Sequence, residues 1–336
     1  MAALMLSLFS NNASAASWRI SSKPDAKANF TSINAAMSSA DVLNGDTLYL
    51  DPGTMLTGQQ TVTKQVTIIG TGYFLKDAVM QEAIVNEIKV MASNVKVEGC
   101  YLYSLLGDNS GNINLNKYNN LIIERCKIKS CGIAYNNTKV YSCYIYNNLS
   151  TRVYHLGYKA INVEVSNCII LGTISYFANS SFTNNTILYS GQSAILTNIT
   201  DSKIANNIII NTKDGYSDQT IANASLSDQN MINNNVLSND ADHVFADHPN
   251  NKFIGAKPED VFTMEGTADE QYRLKEDSPA KGYGQSTQDC GAYDGPYPYV
   301  VSGHPRFIPY IYDAVIPYRP TDGKLNVTLK IRTQNE

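Results

Sequence analysis

The chain has 336 residues, 26 basic and 30 acidic side chains, and a formal charge of −4. That balance gives no sign of a strongly basic surface and argues against nucleic acid as a partner. A charged fraction of 17% beside 43% apolar residues excludes a disordered chain. The excess lies in 36 Asn and 22 Tyr, against a single Trp. Asn favours neither helix nor ordinary strand, so a folded chain this rich in it must place it in turns or in stacked hydrogen-bonded rows.

Residues Ala2 to Phe9 form an apolar run closed by Ala13-Ser14-Ala15. An apolar stretch ending in Ala-x-Ala reads as the end of a truncated secretory signal, residues 1–15, and predicts a secreted, periplasmic or cell-surface protein. Nothing downstream approaches the ~20 apolar residues of a membrane span. Between Asn29 and Leu43, Phe30, Ile33, Met37 and Ala40 share one helical face, which predicts an N-terminal capping helix.

From residue 97 a short pattern recurs: apolar, two polar or small residues, Cys or Asn, any residue, aliphatic. Its instances begin at Val97, Ile123, Val140, Val165, Phe182, Ile204 and Met231, which places Cys100, Cys126, Cys143, Cys168, Asn185, Asn207 and Asn234 at the fourth position. Those positions lie 26, 17, 25, 17, 22 and 27 residues apart. Unequal periods suit a solenoid whose coils share a core path and differ in loop length. The fourth positions should stack inward as one row, the Asn carboxamides bonding from coil to coil and the thiols staying reduced. A third strand per coil is visible at Gly132–Tyr135, Ala160–Asn162 and Ile174–Tyr176. The predicted fold is therefore all-β: a right-handed parallel β-helix, three short strands per coil, over residues 16–295.

Outward positions of the repeat carry Tyr103, Lys129, Tyr146, Leu171, Leu188, Ile210 and Leu237, with Ile169 and Ile208 beside them. The later members would form an apolar stripe larger than a soluble monomer leaves open. The Tyr/Pro-rich tail, residues 296–336, is the predicted cover, acting as an extended strap. Its end, Leu325 to Ile331, alternates like a strand with one buried face. A monomer is expected, with a second copy of the chain as the alternative cover.

The segment Phe30-Thr31-Ser32-Ile33-Asn34-Ala35-Ala36, followed by Asn44-Gly45-Asp46-Thr47-Leu48-Tyr49-Leu50-Asp51-Pro52-Gly53-Thr54, resembles the opening of pectate-lyase-like right-handed β-helix proteins. Tyr272-Arg273-Leu274, Asp277-Ser278-Pro279-Ala280 and Asp289-Cys290-Gly291-Ala292-Tyr293 are similar to the closing motif of secreted bacterial members. The resemblance implies an exported protein that interacts with polysaccharide or glycan. It also implies either cleavage of an acidic chain, as a lyase or glycoside hydrolase, or a non-catalytic adhesion or carbohydrate-binding module. The Gly-His-Gly motif of polygalacturonase-like members does not occur, nor do Asp residues in register for calcium. The resemblance therefore carries no catalytic residue over.

One loop concentrates cations and rings. Between Tyr146 and Lys159 lie Arg152, Tyr154, His155, Tyr158 and Lys159. A uronate lyase needs a cation to neutralise the carboxylate and a base for the C5 proton. Arg152, His155 and Lys159 are the catalytic candidates, and Tyr154, Tyr158, Tyr135 and Tyr176 the candidate sugar platforms. Carboxylates at Asp108, Asp214 and Asp218 suit a hard cation such as calcium, but their spacing does not support one, so no cofactor or metal site is assigned.

Overall fold

The computed structural model describes residues 15–75, 81–107, 114–133, 135–151, 158–191, 195–212, 231–234, 250–253, 257–304, 310–315, 319, 323–325 and 327–332. The apolar start and signal-like motif, through residue 14, lie outside them.

Short β-rich segments stack in parallel over most of this length. The first sheet has nine strands in chain order: Ser17–Ile20, Thr47–Leu50, Thr67–Ile69, Lys96–Glu98, Ile122–Glu124, Lys139–Tyr141, Glu164–Ser166, Ser181–Thr183 and Lys203–Ala205. Every neighbouring pair is parallel. The middle apolar residue of each strand from the second onward (Leu48, Ile68, Val97, Ile123, Val140, Val165, Phe182, Ile204) is fully buried. Period-two alternation thus gives each strand one inward side chain and leaves its neighbours outward.

The second sheet has fourteen strands among the described residues, and it corrects the expected count of three per coil. In the early coils the second and third strands run on without a break, as Ile84–Val90, Tyr101–Leu106 and Lys127–Ile133. Later they separate. Lys127–Ile133 pairs with Tyr144–Ile145 at one end and with Leu149–Thr151 at the other. The two faces therefore fuse into one sheet, and the architecture is a parallel β-solenoid of two sheets. Its interior row on this side is Leu102, Ile128, Ile145, Ile170, Ile187 and Ile209, in register and fully buried.

The Asn content resolves into two bends. Where the first sheet turns into the second, Gly99, Arg125, Ser142, Asn167, Asn184 and Asn206 all have positive φ, between 51° and 63°. Asn tolerates that left-handed conformation better than most residues. The next residue points inward and builds the predicted row. The Cys126 amide donates to Cys143 Sγ (3.4 Å), that of Cys143 to Cys168 Sγ (3.5 Å), and that of Cys168 to Asn185 Oδ1 (2.9 Å). The Asn185 amide then donates to Asn207 Oδ1 (2.8 Å). All six cysteines are free and buried. At the bend leading into the first sheet, Asn94, Asn120, Asn137, Asn162 and Asn179 again have positive φ. There the amides bond on the outside: Asn120 Nδ2 donates to Asn94 Oδ1 (2.8 Å), and Asn162 Nδ2 to Asn137 Oδ1 (3.2 Å).

The capping helix is shorter than its pattern predicts, spanning Ile33–Ser38. Ser32 Oγ accepts from the Ala35 amide (3.1 Å) at its start. Ile33, Ala36 and Met37 are buried, whereas Ala40 is exposed and Val42 takes the inward place.

The apolar stripe is covered by this same chain, and the cover begins well before residue 296. Residues 258–304 return across the second sheet and its bend. Val261, Phe262, Ala280 and Cys290 pack on Leu188, Ile208 and Ile210; Ala292 and Tyr299 pack with Tyr73, Tyr144 and Ile169. The strap then steps from later coils to earlier ones along the positive-φ positions. Gly291 N donates to Asn206 O (2.9 Å), Asn167 Nδ2 to Ala292 O (2.9 Å), Val300 N to Ser142 Oγ (2.9 Å) and Arg125 to His304 O (3.1 Å). Beyond it, Tyr310–Val315 and Thr328–Arg332 form an antiparallel pair that joins neither sheet among the described residues. The face expected to be buried is open: Leu325, Val327, Leu329 and Ile331 are 44–57% exposed.

Candidate functional site

The residue after each inward Cys or Asn faces out, so Tyr101, Lys127, Tyr144, Ile169, Thr186 and Ile208 form one in-register row on the outer face of the second sheet. The strap covers this row from Tyr144 onward. Its early members stay accessible, and there aromatic rings gather around one cation. Lys127 Nζ lies 3.8 Å from the Tyr101 ring centroid, 4.2 Å from Phe74 and 5.9 Å from Tyr146. Cation–π attraction of this kind strengthens when water is excluded. Tyr103 stacks at a tilt on Tyr101 (5.3 Å) and is 40% exposed. The Tyr101 and Tyr146 hydroxyls meet at 3.3 Å.

Burial against these rings holds the Lys127 ammonium below the usual lysine range, and the negative charges of Glu82 and Asp269 oppose that shift. Burial, reinforced by the Tyr146 hydroxyl, pushes Tyr101 well above the ordinary tyrosine range, so its hydroxyl stays protonated. Among the described residues, no carboxylate or carbonyl makes a hydrogen bond or ion pair with Lys127. The arrangement offers a positive charge, ring faces and phenolic hydroxyls on one open strand face. It can grip an anion attached to a body with flat apolar faces.

The predicted loop site is described only at its edges. Arg152, Tyr154 and His155 lie outside the described residues, as do Asp108, Asp214 and Asp218. Tyr158 is 50% exposed, and Lys159 Nζ donates to Thr200 Oγ1 at 3.2 Å. Tyr176 is partly buried with φ 66°, a strained backbone for a bulky residue, and its carbonyl accepts from Thr151 Oγ1. Tyr135 does not serve as a sugar platform. It is 2% exposed, belongs to the solenoid core, and its hydroxyl donates to Val90 O at 2.6 Å, past the end of the strand Lys127–Ile133. Among the described residues, no three His, Cys, Asp or Glu side chains converge to hold a metal ion.

Sequence reasoning singled out Tyr103, Lys129 and Tyr146 as outward residues but missed Tyr101 and Lys127 as their companions. The signal was present: both directly follow an inward Cys. Nothing in the pattern pointed to Phe74, which the fold brings in from a separate loop. No protein-family model, curated protein or solved structure matches this chain.

Proposed function

We propose that this is an exported right-handed parallel β-helix protein of the pectate-lyase-like kind that binds an acidic polysaccharide on the outer face around Lys127. One observation carries the reading: a partly buried ammonium walled by Phe74, Tyr101 and Tyr146, beside an exposed Tyr103, with no anionic partner contacting it among the described residues. Glu82 and Asp269 act on this partly desolvated ammonium without a hydrogen bond or ion pair to it among the described residues, which leaves a contact position open to an anion. A uronate supplies both missing elements, a carboxylate for Lys127 and sugar C–H faces for the rings.

The test is a binding screen of polygalacturonate and alginate against a neutral glucan, with absorbance of unsaturated products read in the same wells. Acidic chains should bind, and Lys127→Ala should weaken them by at least tenfold with little change in melting temperature. Equal binding of neutral and acidic chains, or an indifferent Lys127→Ala variant, removes the proposal. Product absorbance lost in an Arg152/His155/Lys159 triple alanine variant would assign cleavage to the loop. Its absence would leave a binding module.

A further inference from the structure

The Phe74 wall of the Lys127 site is held from the far end of the chain. Phe74 has φ 52°, a conformation an unrestrained Phe avoids. Three contacts impose it: the Tyr73 amide donates to Ser302 O (2.8 Å), Ser302 Oγ donates to Phe74 O (3.5 Å), and the Phe74 amide donates to Glu82 Oε1 (2.6 Å). Gly303 allows this close approach. A Cβ there would stand 2.1 Å from the Tyr73 ring and 2.5 Å from Arg125 O.

The strap turn is in turn held by one carboxylate. Asp269 is fully buried. Its Oδ2 accepts from the Ser302 amide (2.7 Å) and the Tyr299 hydroxyl (3.2 Å); its Oδ1 accepts from Thr267 Oγ1 (2.5 Å) and the Glu270 amide (3.1 Å). Tyr299 also meets the Tyr73 hydroxyl at 2.8 Å. A buried carboxylate with this many donors is a rigid anchor. A continuous set of bonds therefore runs from Asp269 through Ser302 and Tyr299 to Tyr73 and Phe74, and ends at the ring 4.2 Å from Lys127 Nζ.

We propose that Asp269 is a positioning residue for the anion site: through the strap it sets Phe74 over Lys127 and so builds the pocket that receives the ligand carboxylate. This rests on the binding reading above. Without the anchor the strap turn loosens, Phe74 leaves its left-handed conformation, and water reaches the Lys127 ammonium.

Two roles of Asp269 predict opposite signs at Lys127. As a bare negative charge it favours the protonated amine, so removing it should lower the Lys127 pKa. As a positioner it maintains the desolvated cage, so removing it should rehydrate the ammonium and raise that pKa. The experiment measures the acylation rate of Lys127 against pH by peptide mass spectrometry, together with affinity for a short oligogalacturonate. It uses the full chain and its Asp269→Asn and Tyr299→Phe variants, the second leaving the charge intact. The proposal expects a higher Lys127 pKa in both and roughly tenfold weaker binding, matched by Phe74→Ala. It also expects no further loss when Asp269→Asn is added to Phe74→Ala. A lowered pKa in Asp269→Asn, or an unchanged pKa in Tyr299→Phe, overturns it. If Phe74→Ala and Lys127→Ala both bind normally, the site itself is wrong; if they bind weakly while Tyr299→Phe binds normally, only the positioning role falls.

Discussion

The earlier and later coils of the solenoid stack in one register through the bend but carry different chemistry on both sides of it. From Tyr101 to Tyr146 the outer face is Tyr and Lys, part of it open; from Ile169 to Ile210 it is largely aliphatic and lies under the strap. Inside, the bend row is Cys in the earlier coils and Asn in the later ones. The lesson is a division of labour set by side chains alone. Aliphatic rows on a regular sheet recruit a cover from their own chain, whereas amphipathic Tyr and Lys can stand half in water and remain available to a ligand.

The strongest way to break this comparison is to mutate matched places on the two faces. Phe262, in the strap itself, is fully buried against the later coils and lies edge-on to Tyr272 at 5.5 Å. Phe262→Ala should cost about 3–5 kcal/mol in urea denaturation, the usual range for emptying a buried aromatic site. Tyr103→Ala, on the open face, should stay within about 0.5 kcal/mol of the parent while reducing polysaccharide affinity. Comparable stability losses at the two positions would mean that the open face is structural too.

This division was partly legible in the sequence. The six-residue repeat names the inward row because strand alternation and the bend fix which residue faces in, and the structure places Cys126, Cys143, Cys168, Asn185 and Asn207 in that row. The stripe that needs a cover follows from the same register. The cover at residues 296–336 was started too late: Tyr299, Val300 and His304 take part in it, but it begins at 258, and 258–304 has no periodicity because its pairing is one of single bonds to bend residues. Tyr135 misled because a third-strand residue near a turn can point either way, and only the packed core decides. Phe74 was invisible: its place depends on Ser302, more than two hundred residues away.

The inner row offers a second contrast, of intermediate size. Asn207 Oδ1 accepts from the Asn185 amide (2.8 Å) and from Asn185 Nδ2 (3.1 Å), while its own Nδ2 donates to Phe182 O (2.8 Å). Asn207→Leu fills similar volume but removes these partners, which leaves buried polar groups unsatisfied at about 1–3 kcal/mol each. A total loss of roughly 3 kcal/mol is expected by chemical denaturation. Asn207→Cys should recover part of it, because the thiols of the earlier coils show that sulfur can accept the preceding coil's amide. A Cys variant no better than Leu would show that the Asn and Cys segments are not interchangeable.

The smallest expected effect separates the two halves by pH. Cys131, facing inward between Leu105 and Leu149, has its thiol pushed up to about 12 by burial alone. In the unfolded chain that thiol ionises near its ordinary value of about 8.5. Between those values the folded state keeps a proton that the unfolded state has lost, so stability falls as pH rises. Cys100, Cys126 and Cys143 are shifted in the same direction, each with burial among the causes. The Asn segment of the row has no group that titrates there. Cys131→Ala should cost only about 1 kcal/mol at neutral pH. Its signature is in the slope of unfolding free energy between about pH 9 and 12, which should become shallower by close to one proton. The Asn207→Leu variant should keep the parent's slope despite its larger stability loss. A Cys131→Ala slope equal to the parent's would mean that the thiol is not held protonated by the packed interior.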